Sequence, residues 1–462
     1  MSVIASAGIP GRKVFDLARK VEAAPAKLFD AIHKLAENMR YSYPDACRMV
    51  GERVRSEDMR TLLLRLADAL RSGEPLPSFL VREARVHGER YENEYERNLE
   101  ALKKWNDGYT AVTVSVSLII INNMVSTMIY DLGQVVMAAM AFGAIVIGFI
   151  VAWVLSRAAP QEVMSVPWAQ GSKEQRLAFK LLKISLPIVL LVTLAMVLLK
   201  VSFGWIFVTL GVLLLPLGIA SYRAESHVAK KDEEIGAFFR SLGGTATSRG
   251  TTLGQALESI EMASFPNLRP HIRKLLLRLR ANAKPEVCWQ LFGLETGSLL
   301  IDQAVDMFFD ATSLGGDPEQ SGLLSSMFTE KVAMLRAKRR GVAGTFSWLI
   351  LAMHTVLSAL MVFVLQILKK FIQLIQASGT MEYQEEAMRQ LAVRMLTFTT
   401  PQTAFLEKMA LALIVMMALT NAFAIVASEG AHIAKMSFYL AIMYFVSGIS
   451  FLIVPSIVNA IL

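Results

Sequence analysis

The densest set of groups able to do chemistry lies in Arg269–Arg280, RPHIRKLLLRLR. On a helix turning ~100° per residue, Ile272, Leu275, Leu276 and Leu279 fall on one side and face a core. Arg269, Arg273 and Arg280 form a basic stripe beside that face, and Lys274 and Arg278 form a second pair opposite the core. A guanidinium is a planar fork that pairs bidentately with carboxylates, so the pattern suits gripping an acidic protein surface. The plainer reading is the solvated face of an amphipathic helix. A second cluster, Arg336, Lys338, Arg339 and Arg340, stands where a polar segment gives way to an apolar run. Positive charge there anchors membrane topology; the functional alternative is that it passes a partner's motion into the membrane. The acidic and basic residues of 83–100 likewise read as a wet helix face, with a partner contact as the rival.

Catalytic patterns are absent. The chain holds no G-x-x-x-x-G-K-[ST] phosphate cradle, no H-E-x-x-H and no G-x-S-x-G. Gly315-Gly316-Asp317 resembles the glycine-aspartate motif of intramembrane aspartyl proteases. It sits, however, in the polar run LGGDPEQSG, and no apolar span supplies either of the paired carboxylates such an enzyme needs. The one titratable group inside a span is His354, a poor proton relay by itself and more simply a polar group satisfied by a neighbouring helix. Asn122, Asn123 and Asn421 fit the same account, Pro187, Pro216 and Pro455 mark kinks, and Ala139, Gly143, Ala144 and Gly148 offer a face for close helix approach. Cys47 and Cys288 have neither metal-site nor disulfide spacing and read as free thiols in a reducing compartment. The expectation is a non-enzyme with no cofactor and no metal.

These residues need elements to position them, and composition says which. The chain is 54% hydrophobic and 19% charged over 462 residues, with a mean hydropathy of +0.45. The apolar excess is gathered in runs near the ~20 residues a helix needs to cross a bilayer. Seven spans are readable, at about 111–130, 134–155, 184–199, 202–220, 346–368, 409–427 and 436–459. Spans one and two, and three and four, are joined so tightly that each pair must be an antiparallel hairpin. Lysine and arginine number 19 in 1–110, five in 156–183 and 16 in 221–345, against none and one in the first two short connections. The positive-inside rule therefore places those three segments in the cytoplasm, with the N-terminus, and puts 369–407 and the C-terminus outside. The first 25 residues have no apolar core, so no cleavable signal is expected. The net charge of +8 is accounted for by these loops, and no aromatic-basic motif points to nucleic acid.

Both large polar segments carry helical periodicity. Tyr91, Tyr95, Leu99, Leu102 and Trp105 make one stripe running into the first span, and Val332 and Leu335 begin a similar run into the fifth. The outer segment is periodic as well (Phe371, Ile372, Leu374, Ile375; Leu391, Val393, Met395), with Pro401 expected to interrupt it; it is a candidate contact for an external component. An internal repeat is read at an offset of 177, placing Gly73 on Gly250, Leu76 on Leu253 and Leu80 on Leu257. Each glycine would end a helix in a left-handed conformation before a second helix restarts.

LADALRSGEPLPSFLVREA (66–84) and YENEYERNLEALKKWNDGYTAVTVSVSLIIINNMVSTMIY (91–130) resemble the type II secretion F family of polytopic platform proteins, in its archaeal type IV pilus-like branch, with archaellum platforms the nearest likeness. SRGTTLGQALESI (248–260) and LETGSLLIDQAVDMF (294–308) are similar to that family's second F domain. The resemblance implies an all-α polytopic membrane protein divided into a first, abbreviated F domain (1–110), four spans (111–220, with a cytoplasmic loop at 156–183), a second F domain (221–345) and three spans (346–462). It implies a homodimer in the cell membrane that couples a hexameric cytoplasmic secretion ATPase to the movement of pilin-like or archaellin subunits, with no catalysis of its own. An adhesive-pilus platform is the close alternative. A transporter or channel is the rival from another class, and flux lost on replacing His354 would favour it.

Overall fold

The computed structural model describes residues 1–6, 8–19, 25–126, 133–378 and 400–461. Among these residues the chain is helical throughout apart from turns and one isolated bridge. The helices are α1 (Ser2–Ala5), α2 (Gly11–Ala18), α3 (Ala26–Asn38), α4 (Tyr43–Arg53), α5 (Glu57–Ser72), α6 (Leu76–Ser126), α7 (Gln134–Ala158) and α8 (Lys173–Leu198). They continue with α9 (Phe203–Arg249), α10 (Leu253–Ser259), α11 (Arg269–Arg280), α12 (Pro285–Thr296), α13 (Leu299–Ser313), α14 (Pro318–Ser378), α15 (Thr400–Glu429) and α16 (Met436–Ile461). Two compact units divide them. A polar unit takes 1–96, 164–172 and 226–336, and a membrane unit takes 97–163, 173–225 and 337–462. Helices α6, α9 and α14 contribute residues to both.

The polar unit holds one six-helix pattern twice. Helices α4, α5 and α6 begin at Tyr43, Glu57 and Leu76, and α12, α13 and α14 begin at Pro285, Leu299 and Pro318, in each case 242 residues on. The shorter helices α2 and α3 repeat as α10 and α11 with the same spacing to within a residue, and α1 corresponds to the last turns of α9. Burial follows this register: Ala46 and Cys288, Cys47 and Trp289, Val50 and Phe292, Leu63 and Val305, Leu66 and Phe308, and Ala69 and Ala311 are all buried. The pair of turns leading into α6 and α14 shares a left-handed glycine and the hydrogen bond that closes the turn. Gly73 (φ 73°) and Gly315 (φ 94°) take the left-handed conformation, and Glu74 N–H to Ala69 C=O is answered by Gly316 N–H to Ala311 C=O, at 3.0 Å in both. This is a glycine-closed helix end in which a β-carbon would be strained.

The register read from the sequence is thereby corrected. Gly250 (φ 60°) does end α9 with a similar turn, but pairing it with Gly73 aligns two different joints of the pattern. The first copy is not abbreviated either, since 43–80 is the counterpart of 285–322. One glycine-turn resembles another, and only the run of helix starts on both sides distinguishes the joints. The two copies touch: α1 packs on α13, and Lys331 meets Glu92 at 2.8 Å. Residues 164–166, part of the segment read as a loop, pair with 297–299 through Val166 N–H to Gly297 C=O and Leu299 N–H to Met164 C=O, both 3.2 Å. Both thiols are buried inside the unit, and burial raises them, Cys47 to about 12.

Seven helices are long and apolar enough to cross a membrane among the described residues: α6 to α9, α14, α15 and α16. Lys200 (φ 54°) turns the chain between α8 and α9 as the short connection demands. The first connection (127–132) and 379–399, including Leu391, Val393 and Met395, lie outside the described residues. Pro187, Pro216 and Pro455 lie inside helices, whereas Pro401 falls in the first turn of α15, where a missing N–H is harmless. Close helix approach occurs elsewhere than expected. A β-carbon on Gly143 would meet nothing within 4 Å and one on Gly148 only Thr420 at 3.9 Å, whereas on α9 a β-carbon at Gly211 would lie 2.8 Å from the Ala441 carbonyl and one at Gly218 2.6 Å from the Phe438 Cα. Small residues therefore seat α9 on α16, while the corresponding face of α7 (Ala144, Gly148) lines a cleft beside Leu413, Met417 and Thr420 of α15.

This contrast predicts opposite responses to one methyl group. Gly218→Ala should destabilise the purified protein by about 1–3 kcal/mol, because backbone has to shift. Gly143→Ala should be neutral or stabilising by up to ~1 kcal/mol through helix propensity. Thermal unfolding of each variant in detergent compares them; equal midpoints would refute the packing assignment.

Candidate functional site

The basic helix α11 is built on a borrowed charge. It has no acidic residue in its first turn. Instead Glu234 of α9 accepts from the backbone N–H groups of Asn267 (3.0 Å) and Leu268 (2.9 Å), placing a carboxylate at the positive end of the helix dipole. Ile272, Leu275 and Leu276 are buried on the core side.

The cations then divide. Lys274 and Arg278 do not stand free opposite the core: they clamp Glu295 of α12 at 3.0 and 2.5 Å. Burial pushes the Glu295 carboxyl up, but the hydrogen bonds from Arg278 and Lys274 together outweigh it and hold it below its ordinary range. Arg280 reaches Glu258 at 2.8 Å in an exposed pair of small energetic weight. Arg269 and Arg273 are exposed and form no ion pair with the described residues. Leu277, one turn further along their stripe, is 56% exposed. A patch of two unpaired guanidinium groups around an exposed leucine is thus what α11 presents to water.

The fold does not call for those cations. In the first copy the same helix is α3, whose Asp30 and Glu37 correspond to Arg273 and Arg280. Both are acidic, with Asp30 paired to Lys34 at 2.6 Å and Glu37 to Arg12 at 2.5 Å. Arg269 moreover sits in the first turn, where a helix dipole disfavours positive charge.

The second basic cluster is mostly internal. In the polar unit Arg336 is 4% exposed and donates to Asp232 at 2.7 Å, and Asp232, 3% exposed, also accepts from the Ser298 hydroxyl. Lys231, beside it, donates to the Thr296 carbonyl. In the membrane unit Arg339 is 1% exposed. It donates to the carbonyls of Ser428 (2.9 Å), Ala427 (3.0 Å) and Pro160 (2.8 Å), capping the last turn of α15 and holding the chain just past α7. Lys338 is exposed and Arg340 half-buried.

Within the membrane unit, His354 Nε2 lies 3.1 Å from Ser447 Oγ, and Tyr109 donates to Asn421 at 2.8 Å; Asn123 is buried and Asn122 exposed. No group of His, Cys, Asp or Glu among the described residues gathers to hold a metal ion. The residues that sequence reasoning missed are the acceptors Glu234, Glu295 and Asp232 and the donor Ser298. Each lies 17 to 104 positions from its partner, a separation that leaves no periodic signal.

Comparison with known proteins gives this geometry its context. Residues 1–121 match the family described as type II secretion system (T2SS), protein F. The flagella accessory protein J of Methanocaldococcus jannaschii is 26% identical over 328 residues, covering 68% of this chain and 58% of that protein. The protein of the same name from Methanococcus voltae is 26% identical over 332 residues, covering 67% of this chain and 58% of its own length. The chain thus spans less than two-thirds of the relatives it matches, and no solved structure matches it significantly. It is an all-α, multi-pass membrane protein whose residues 1–121 match the type II secretion system protein F family and which is similar to the two flagella accessory protein J proteins.

Proposed function

We propose that this chain is the membrane platform of an archaellum- or type IV pilus-like filament machine. It performs no catalysis itself. Its polar helical unit and N-terminus lie in the cytoplasm and its C-terminus outside, following the distribution of lysine and arginine. A cytoplasmic secretion ATPase grips the polar unit, pilin-like or archaellin subunits move through the bilayer beside the spans, and the platform works as a homodimer. The observation that carries the ATPase contact is the exposed Arg269–Arg273–Leu277 patch, whose two guanidinium groups form no ion pair with the described residues and whose Arg273 stands where the other copy of the helix has Asp30. Its complement is an acidic surface with an apolar centre. The domain division, two F domains flanking four spans and followed by three more, belongs to the same proposal.

Reversing both charges in R269E/R273E should lower recruitment of the ATPase about ten- to a hundredfold in a pull-down with the full-length chain, and leave membrane insertion intact. Recruitment by the native chain should fall as salt is raised. Undiminished capture by the double variant discards α11 as the grip.

The cluster on α14 separates by residue. Arg339→Leu strips three carbonyls of a charged donor and should destabilise the protein by about 1.5–3 kcal/mol in thermal unfolding. Lys338→Gln should not. If all four of Arg336, Lys338, Arg339 and Arg340 are replaced by glutamine, misoriented protein identifies them as an anchor. Correct insertion with no filaments identifies them as carriers of motion.

A further inference from the structure

The polar end of α8 carries four cations on one side. Lys173, Arg176, Lys180 and Lys183 fall within ~80° of one another around the helix and spread over ~15 Å of its axis. All four are exposed, and none forms an ion pair with the described residues; Lys183 lies 4.5 Å over the Phe179 ring. The single carboxylate on this helix, Glu174, is on the other side, ~140° from the centre of the stripe. Such a stripe is more than topology requires, and no described carboxylate pairs with it.

The rest of α8 says what surrounds it. None of its apolar stretch is buried by protein, so lipid is its solvent. The uncharged run between Lys183 and Lys200 is 184–199, about 24 Å of helix against a hydrocarbon thickness of about 30 Å. The bilayer therefore draws the flanking lysines to the level of the headgroups, where their long stems let the ammonium groups reach phosphate. At the end of the preceding span, Arg157 lies 5.7 Å over the Trp153 ring, and Trp153 is exposed, as an indole at the membrane interface is. An exposed basic stripe thus stands at headgroup depth beside an apolar stretch that protein does not cover.

We propose that the polar end of α8 is a binding site for anionic glycerophospholipid, with Lys173, Arg176, Lys180 and Lys183 holding the headgroup phosphates. Juxtamembrane clusters of this size attract anionic lipid at roughly 1 kcal/mol per cation, about fivefold in occupancy for each. Gln175 and Ala178 seat the other side of this helix end in protein, so the site fixes the depth of the apolar stretch that protein leaves uncovered.

Native mass spectrometry of the full chain, titrated separately with phosphatidylglycerol and phosphatidylcholine, tests this. The native chain should retain severalfold more phosphatidylglycerol than phosphatidylcholine. K173Q/R176Q/K180Q/K183Q should lose that preference, and K173R/K180R/K183R should keep it. Equal retention of the two lipids, an undiminished preference in the glutamine variant, or full displacement by soluble glycerol phosphate would each overturn the proposal. Should the glutamine variant fail to insert, Leu177→Trp places a reporter beside the stripe on an otherwise native chain. Brominated phosphatidylglycerol should then quench its added fluorescence more strongly than brominated phosphatidylcholine at equal mole fraction, and equal quenching counts against the site.

Discussion

A carboxylate sealed from water is tolerable only where its charge is met, and Asp232 is sealed. Its position in the polar unit dictates what must surround it: the guanidinium of Arg336 on α14 and the hydroxyl of Ser298 where α13 begins. Lys231 is occupied by the carbonyl that ends α12, and the pairing of 164–166 lies along the same turn. Apolar helix faces can slide past one another by a turn with modest loss, whereas a buried charge can be satisfied at one place only. The relative register of α9, the α12–α13 turn and α14 is therefore set by this node, and the surfaces those helices and α11 present to water depend on it. Glu234, a half-turn from Asp232 on α9, extends the same control to the start of α11.

The doubled six-helix pattern separates what the fold requires from what a surface is for. Positions facing the core keep their character across the copies, with Val50 against Phe292 and Leu66 against Phe308 trading volume but not polarity. The joint before the last helix of each copy keeps its left-handed glycine, Gly73 and Gly315. The third helix does not keep its surface charge: Asp30 and Glu37 of α3, both ion-paired, stand where α11 carries Arg273 and Arg280, and Ala26 stands where it carries Arg269. Stability is indifferent to the sign of a solvated charge to within a few tenths of a kcal/mol. The reversal at Arg273, which has no ion pair with the described residues, is therefore the position at which the proposed contact departs from what the fold repeats.

The spans were legible because hydrocarbon imposes length and polarity residue by residue, and the hairpin at Lys200-Val201 because two spans left no room for any other path. The inward face of α11 was legible for the same local reason, a 3.6-residue period. The register of the duplication was not: its evidence lies in where helices begin and in buried volume, and pairs such as Cys47 and Trp289 share neither identity nor size. Nor were the destinations of Arg336 and Arg339. A cation at the mouth of a span looks the same in sequence whether it lies in headgroups, pairs with a buried carboxylate 104 positions away or caps another helix. The glycines misled similarly, because a small-residue face shows where helices could approach and not which neighbour does.

The interior of the membrane unit is joined by hydroxyls, amides, one imidazole and helix-end carbonyls: Tyr109 with Asn421, Asn106 with Ser428, His354 with Ser447, and Arg339 on the end of α15. Its described spans offer no chain of ionisable groups through which a potential or a proton gradient could do work. Close backbone contact between α9 and α16 also leaves little slack there, since packed interiors yield in discrete rearrangements rather than by gradual deformation. In the proposed platform role the force on this unit comes from outside it. The helices that leave it are α6, α9 and α14, each continuous from the polar unit into a span. In that role a displacement delivered along one of them acts on a bundle braced by these contacts, which is the mechanical property a scaffold needs.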